Sequence, residues 1–382
     1  MILRGAPEPV LRREQARESR PARAVQKNGG VLEPCVDRCL MGNDADAPAA
    51  DERQTLVEQD VKARADGRHA PIVAHPVYHR AMPRAFRYER LPTERSNRAS
   101  AGLDRLSARA IATLMNREDA RAVRAVGRQT RAVAAGVEVI VAALSAGGRL
   151  IFVGAGTSGR LGVLEAAECP PTFGTPPRLV QAVMAGGRAS VFRSREGAED
   201  DGRAAARAVR ARVRRGDVVV GVSASGVTPF VREALATARR LGARTIVVAC
   251  NPDHGRLPRA DVVIAPAPGP EVLAGSTRLK AGTTTKLVLN TLTTASMTRL
   301  GKVYGNRMID VQPRSRKLRE RATRLVAELG DVGHRAARRL LQSAGDRVPV
   351  AVVMARRGLD ADTAARALRA AGSLRAALRP SR

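Results

Sequence analysis

Two glycine turns rich in hydroxyls and two glutamates are the residues of this 382-residue chain best suited to chemistry. Gly154-Ala155-Gly156-Thr157-Ser158-Gly159 follows the apolar run Arg149–Val153 and opens a helical pattern. Gly156, Thr157, Ser158 and Gly159 would therefore present amides and hydroxyls at a helix N-terminus, a nest for a compact phosphate monoester. Ser223-Ala224-Ser225-Gly226-Val227-Thr228-Pro229 repeats the device after a later strand, offering Ser223, Ser225, Gly226 and Thr228, with Pro229 suited to the first turn of the next helix. Capping by Ser and Thr explains one such turn easily and two less well. The GxGxxG spacing also fits a dinucleotide fingerprint, but the acid expected about twenty residues on is missing between positions 174 and 184. Arg178 would have to meet a 2′-phosphate instead.

Glu168 closes the helix that the first turn begins, and Glu199 lies in the acidic run Glu196-Gly197-Ala198-Glu199-Asp200-Asp201. Two carboxylates in different surroundings supply a proton donor and a proton acceptor from one residue type. The alternative is a helix-end carboxylate and a solvated acidic turn. Only six of the 66 basic residues are lysines, yet Lys280, Lys286 and Lys302 fall in one stretch that begins Gly275-Ser276-Thr277-Arg278. An ammonium is a compact point charge where a guanidinium is a fork, so Ser276 and Lys280 are candidates for a phosphate or sugar oxygen.

These groups need a scaffold, and the pattern supplies one. Helical spacing starts at Leu103, and a second stretch runs from Ala120 to Leu144. Strands follow at Arg149–Val153, Leu179–Met184, Asp217–Val222, Arg244–Ala249 and Asp261–Ala265, separated by helices at Gly202–Arg215 and Pro229–Leu241. That alternation implies an α/β fold with a parallel sheet flanked by helices in a three-layer sandwich. Ser276–Arg299 reads as a long buried helix, and about four short helices fill Lys317–Leu378, punctuated by Gly330, Gly345, Gly358 and Gly372. The expected organisation is an extension over 1–90, N-terminal helices over 91–148, the α/β domain over 149–312 and a small C-terminal helical subdomain over 313–382.

Composition narrows the function. Residues 1–90 show no sustained period and are expected to be disordered or adventitious. The pairs Cys35/Cys39 and His75/His79 have helical-turn spacing, but Pro34 and Pro76 interrupt them and no zinc module matches. Aromatic residues make up 2% of the chain and Trp is absent, which argues against base stacking. The net charge of +30 is spread along the chain, so an arginine-biased composition explains it better than a nucleic-acid surface. Four scattered cysteines suit a reducing compartment. No stretch approaches the roughly 18 apolar residues of a membrane span, so the expected location is the cytoplasm, without nucleic-acid or membrane partners.

At the motif level the likeness becomes specific. GAGTSGRLGVLEAAECPPTFG (154–174), EGAEDD (196–201), SASGVTPFV (223–231), GPEVLAGSTRLKAGTTTKLVLN (269–290) and LGKVYGN (300–306) resemble the N-acetylmuramic acid 6-phosphate etherases. The resemblance runs from Leu91 to about Leu378 and reaches the broader SIS phosphosugar-binding fold, which also includes a non-catalytic glucokinase regulatory protein. It implies cleavage of the C3 lactyl ether of N-acetylmuramic acid 6-phosphate with water, no metal or redox cofactor, and a homodimer with the site close to the subunit boundary. It places the catalytic glutamates on Glu168, as proton donor to the departing lactate, and Glu199. Three positions depart from the family pattern: Val227 stands for an Arg, Phe230 for a Tyr and Ser315 for an Asn. A sensor of the same fold is the alternative function.

Overall fold

The computed structural model describes residues 91–253, 257–313 and 315–379. The cysteine and histidine pairs weighed above, and the whole of 1–90, lie outside the described residues.

Five strands, β1 (Leu150–Gly154), β2 (Val180–Met184), β3 (Val218–Val222), β4 (Arg244–Val248) and β5 (Val262–Ile264), form one parallel sheet in the order β2-β1-β3-β4-β5. Leu150 stands in register with Val180 on one side and Val218 on the other. Every residue of β1 and β3 is buried, as apolar runs covered on both faces must be. Six helices supply the cover and its approach: α1 (Ala108–Gly127), α2 (Thr130–Ser145), α3 (Gly156–Phe173), α4 (Gly202–Arg212), α5 (Pro229–Arg240) and α6 (Lys280–Arg299).

The pleat sorts the core into two. Leu150, Phe152, Val218 and Val220 pack with Val137 and Ile140 of α2, Phe173 of α3 and Leu289 and Leu292 of α6. Ile151, Val153 and Val219 pack on the opposite face with Val209 of α4 and Val231 and Leu235 of α5. Each such side chain taken fully out of water contributes about 1.5–3 kcal/mol before entropy is counted. The expected α/β sheet flanked by helices is therefore present.

Several boundaries moved for local reasons. The stretch expected from Ala120 to Leu144 is divided after Gly127, and the Gln129 side chain accepts from the Ala265 amide, tying the break to the end of β5. The Leu103–Arg105 turn is a 3₁₀ segment, and α1 starts only at Ala108, where Ser107 caps it. Helix α6 starts at Lys280, not Ser276, because the Glu271 carboxylate accepts from the amides of both Lys280 and Ala281. A hairpin of β6 (Val303–Tyr304) and β7 (Arg307–Met308) was not anticipated.

The C-terminal region holds five helices, one more than expected: α7 (Arg316–Gly330), α8 (His334–Ser343), α9 (Val348–Arg357), α10 (Ala361–Ala371) and the single turn α11 (Leu374–Ala377). Their own core includes Val326, Leu341 and Val352. Gly330 does not end α7 by adopting a left-handed conformation; Asp331 does, at φ 58°. Gly330 serves packing instead, because a Cβ there would stand 2.8 Å from that of Ala355.

Helix α3 lies unusually close to β1. A Cβ on Gly159 would meet Met184 Sδ at 2.3 Å and the Gly154 carbonyl oxygen at 2.6 Å, and one on Gly162 would meet Phe152 Cβ at 2.8 Å. Gly159→Ala is expected to cost about 1–3 kcal/mol in urea unfolding, as overpacking does. Gly127→Ala, where nothing lies within 4 Å, is expected to gain about 0.4–1 kcal/mol.

Candidate functional site

The strand order reverses between β1 and β3, and in such sheets ligands bind beyond the carboxyl ends of the strands at that reversal. Both hydroxyl-rich turns leave the sheet there, one after β1 and one after β3. A cavity of about 440 Å³ lies between them. Gly156, Thr157 and Ser158 line one side and Ser225, Val227 and Thr228 the other, with Glu199 at the wall.

The first turn depends on glycine at three positions. Gly156 turns the chain into α3 at φ 53°, while Gly154 and Gly159 let the helix start against the strand. No side chain caps α3, so its hydroxyls are not spent on the helix end. The second turn is preorganised by its own hydroxyls. Ser223 Oγ lies 2.8 Å from Thr228 Oγ1 and accepts from the Gly226 amide at 3.0 Å, and Ser225 Oγ accepts from the Val227 amide at 3.3 Å. Asn251 Nδ2 donates to the Ser225 carbonyl at 3.1 Å and anchors the loop to the end of β4.

The loop that carries Glu199 is gripped from both turns. Arg160, on the first turn of α3, donates to the carbonyls of Val191 (2.7 Å) and Ser190 (3.0 Å). The Phe230 amide at the start of α5 donates to the Glu199 carbonyl at 2.9 Å. Asp201 caps α4 through the Ala204 amide, so neighbouring acids in one run do different things: one ends a helix, one faces the cavity.

Of the residues singled out from the sequence, Gly156, Thr157, Ser158, Ser225, Thr228 and Glu199 line this cavity together. Gly159, Ser223 and Gly226 shape its two turns from behind. Ser276 lies beside it, flanked by Gly275 and Thr277, which do line it. Lys280 is not a ligand group here: it is 1% exposed, and its Nζ donates to Glu118 Oε2 at 2.6 Å. Lys286 pairs with the buried Glu165, and Lys302 with Asp310 at 2.8 Å. Glu168 is exposed and lies twelve residues along α3 from Gly156, roughly 18 Å from the turn at 1.5 Å per residue. One chain does not bring Glu168 and Glu199 into the same cavity.

The structure also adds residues that sequence reasoning missed: Leu91, Thr93 and Glu94 form a wall of the cavity. Their only sequence signal was their place at the start of the resemblance. They are positioned by partners up to about 180 positions away: the Gly275 amide donates to the Thr93 carbonyl at 3.1 Å, and Asn97 Nδ2 donates to Glu118 Oε2 at 2.9 Å and to the Pro270 carbonyl at 3.2 Å. The three departures from the family pattern divide similarly. Val227 faces the cavity, Phe230 is buried in the core, and Ser315 caps α7 through the Leu318 amide.

Beneath the wall lies a buried ionic network. Burial alone would raise the Glu118 pKa, but hydrogen bonds from Lys280 and Asn97 and the charges of Lys280 and Arg121 prevail and hold it below the ordinary carboxylate range. Burial raises Glu271 in spite of the two amides it accepts from. Burial likewise pushes the thiols of Cys169 and Cys250 up to about 12, so neither is a nucleophile near neutral pH. Among the described residues no group of three His, Cys, Asp or Glu side chains could hold a metal ion.

Strand order, paired hydroxyl turns and a cavity at the reversal define a phosphosugar-binding α/β protein of the SIS type. Residues 132–239 match the family model described as the glucokinase regulatory protein N-terminal SIS domain. An N-acetylmuramic acid 6-phosphate etherase from Gloeobacter violaceus is 52% identical over 293 residues, covering 75% of this chain and 96% of that protein. One from Synechocystis sp. is 48% identical over 301 residues, covering 78% and 99%. The solved phosphoheptose isomerase GmhA from Neisseria gonorrhoeae aligns at 19% identity and a TM-score of 0.40, covering 50% of this chain and 100% of that one. This chain belongs to the N-acetylmuramic acid 6-phosphate etherase family.

Lys280→Met would leave Glu118 buried without its cation, and a loss of about 3–5 kcal/mol at pH 7 is expected in urea unfolding. The pH dependence has a definite sign. In the parent, Glu118 has a lowered pKa, so its contribution is present above the ordinary carboxylate value and is lost as pH falls. In the variant the hydrogen bond and charge of Lys280 are gone and burial is opposed only by Asn97 and Arg121, so the carboxyl is held less far down and protonation costs the variant less than the parent. The stability gap between the two proteins should narrow from pH 7 to pH 4.

Proposed function

We propose that this chain cleaves the C3 lactyl ether of N-acetylmuramic acid 6-phosphate with water, giving N-acetylglucosamine 6-phosphate and D-lactate in cell-wall amino-sugar recycling. The observation that carries the reading is the convergence of two hydroxyl turns on one cavity that also holds Glu199, in a chain about half identical to these etherases. The 6-phosphate sits between the turns, where amides at two helix N-termini and the hydroxyls of Thr157, Ser158, Ser225 and Thr228 surround it. Their contribution is positioning.

The chemistry then needs only proton transfers. Ring opening exposes a C1 aldehyde and makes the C2 proton acidic. A carboxylate removes that proton, and the electron pair forms the C2–C3 double bond as the C3–oxygen bond breaks and the departing lactate takes a proton. Water adds at C3 by the reverse path. Glu199 is assigned the C2 proton and Glu168 the lactyl oxygen.

Because Glu168 stands at the far end of α3 in its own chain, it serves the cavity of a second copy in this reading. A two-fold homodimer gives both sites the same pair. No helix among the described residues is long and apolar enough to cross a membrane, and we place the reaction in the cytoplasm.

The direct test is enzymatic assay of D-lactate after incubation with N-acetylmuramic acid 6-phosphate. Release is expected, and binding without release would sink the reading. Glu168→Gln and Glu199→Gln are each expected to lower turnover by about 10²–10⁴-fold. Refolded together in equal amounts, the two inactive variants should regain about a quarter of parental activity, because half the dimers are mixed and each mixed dimer has one intact site. Absence of recovery would place Glu168 outside the neighbouring cavity.

A further inference from the structure

We propose that Glu94 is a third acid–base residue of this site and opens the sugar ring before elimination, an assignment that rests on the reaction proposed above. A closed hemiacetal has no acidic C2 proton, so the ring must open first. That step moves protons at O1 and O5, and neither Glu168 nor Glu199 is assigned to them.

Glu94 is well placed for the task. It lines the same cavity as Glu199 and the phosphate-binding hydroxyls. Thr93 Oγ1 donates to its Oε1 at 3.2 Å, and Oε2 lies near Gly275, where an added Cβ would stand 3.4 Å away. Gly275 has φ 79°, so that position keeps the space open and turns the chain so that its amide reaches the Thr93 carbonyl. Behind it, the buried side chains of Leu91, Thr93 and Asn97 fix the backbone to either side, Asn97 through Glu118. The hydrogen bond that Glu94 accepts from Thr93 comes from a neutral donor.

Sugar geometry selects the atoms. The phosphate is on C6, C6 is bonded to C5, and C5 carries O5; C3 is the ring position opposite O5. In the proposed arrangement Glu94 stands at the O5–C1 edge, on the wall opposite the hydroxyl turns, while the groups acting on C2 and the C3 ether approach from another side. Glu94 takes the O1 proton, the O1–H electron pair becomes the C1=O1 bond, the C1–O5 bond breaks, and its pair on O5 takes a proton from water. Glu94 returns its proton to solvent. Nothing is oxidised or reduced.

Of the other carboxylates at the cavity, Asp200 also lines a separate groove shared with Arg203, Arg207 and Arg232.

The test separates ring opening from ether cleavage. Exchange NMR of N-acetylglucosamine 6-phosphate with the full-length protein reads anomer interconversion, and the lactate assay reads the whole reaction. The parent is expected to accelerate anomer exchange. Glu94→Gln should abolish that acceleration and lower kcat for lactate at least about 10²-fold with KM changed less than about threefold, and Glu94→Asp should restore part of both. Because Glu94 is exposed, the melting temperature of the Gln variant should match the parent; if it does not, the Asp variant carries the comparison. Anomer exchange unchanged in Glu94→Gln, or absent in the parent, overturns the assignment. A parent that accelerates exchange but releases no lactate overturns the reaction instead and leaves the ring-opening role standing.

Discussion

The reversal of strand order between β1 and β3 is the constraint on which the site depends. Helix α3 leaves β1 toward one face of the sheet, and α5 leaves β3 toward the other, so their N-termini diverge from adjacent strand ends and leave a crevice lined by unspent amides. A phosphate is the natural occupant, since two helix N-termini each favour negative charge. Glycine makes the approach possible: without bare positions at 154 and 159 the start of α3 would be pushed off β1, and the amides would point elsewhere. The loop bearing Glu199 inherits its place from this arrangement through Arg160 on one helix and the Phe230 amide on the other.

The opposite wall is built on a different principle. The segment 91–97 has no strand to pair with and is too short to bury much apolar surface. It is fixed by a polar network in which Asn97 and Lys280 both donate to Glu118 Oε2 and Glu271 caps α6. A buried ion pair is weak evidence for net stability, because desolvation offsets most of the attraction. Its directional bonds, however, allow few alternative geometries. Here they join the N-terminal segment, α1, the loop before α6 and α6 itself, and so hold Thr93, Glu94, Gly275 and Thr277 on one surface.

Proton transfer along a hexose requires acids and bases on more than one side of the ring. A single chain provides Glu199 and Glu94 at one cavity and carries Glu168 at the far end of α3. The division suits a fold whose sheet offers one crevice, and a symmetric assembly would let each copy complete the other. It also suits a framework that can serve sensing and catalysis: the hydroxyl turns belong to the fold, whereas the carboxylates are additions to it.

Much was legible without coordinates. Buried strands read as unbroken apolar runs, and hydroxyl-glycine turns directly after β1 and β3 announced themselves because strand, turn and helix N-terminus are contiguous in the chain. The rare lysines were misleading. Lys280 drew attention as a possible ligand to an anion, yet its partner is Glu118, 162 positions away, a pairing that no local pattern encodes. Glu94 was passed over for the same reason in reverse, since its surroundings come from Gly275. The boundary of α6 and the role of Gly330 were likewise set by distant groups, the Glu271 carboxylate and the Ala355 methyl. Sequence by itself determined the sheet, the hydroxyl-glycine turns and the family, since each is written in short-range pattern. Tertiary structure alone decided which charged side chains face the cavity and which are buried in pairs, because burial and partnership depend on contacts that close only when the chain is folded.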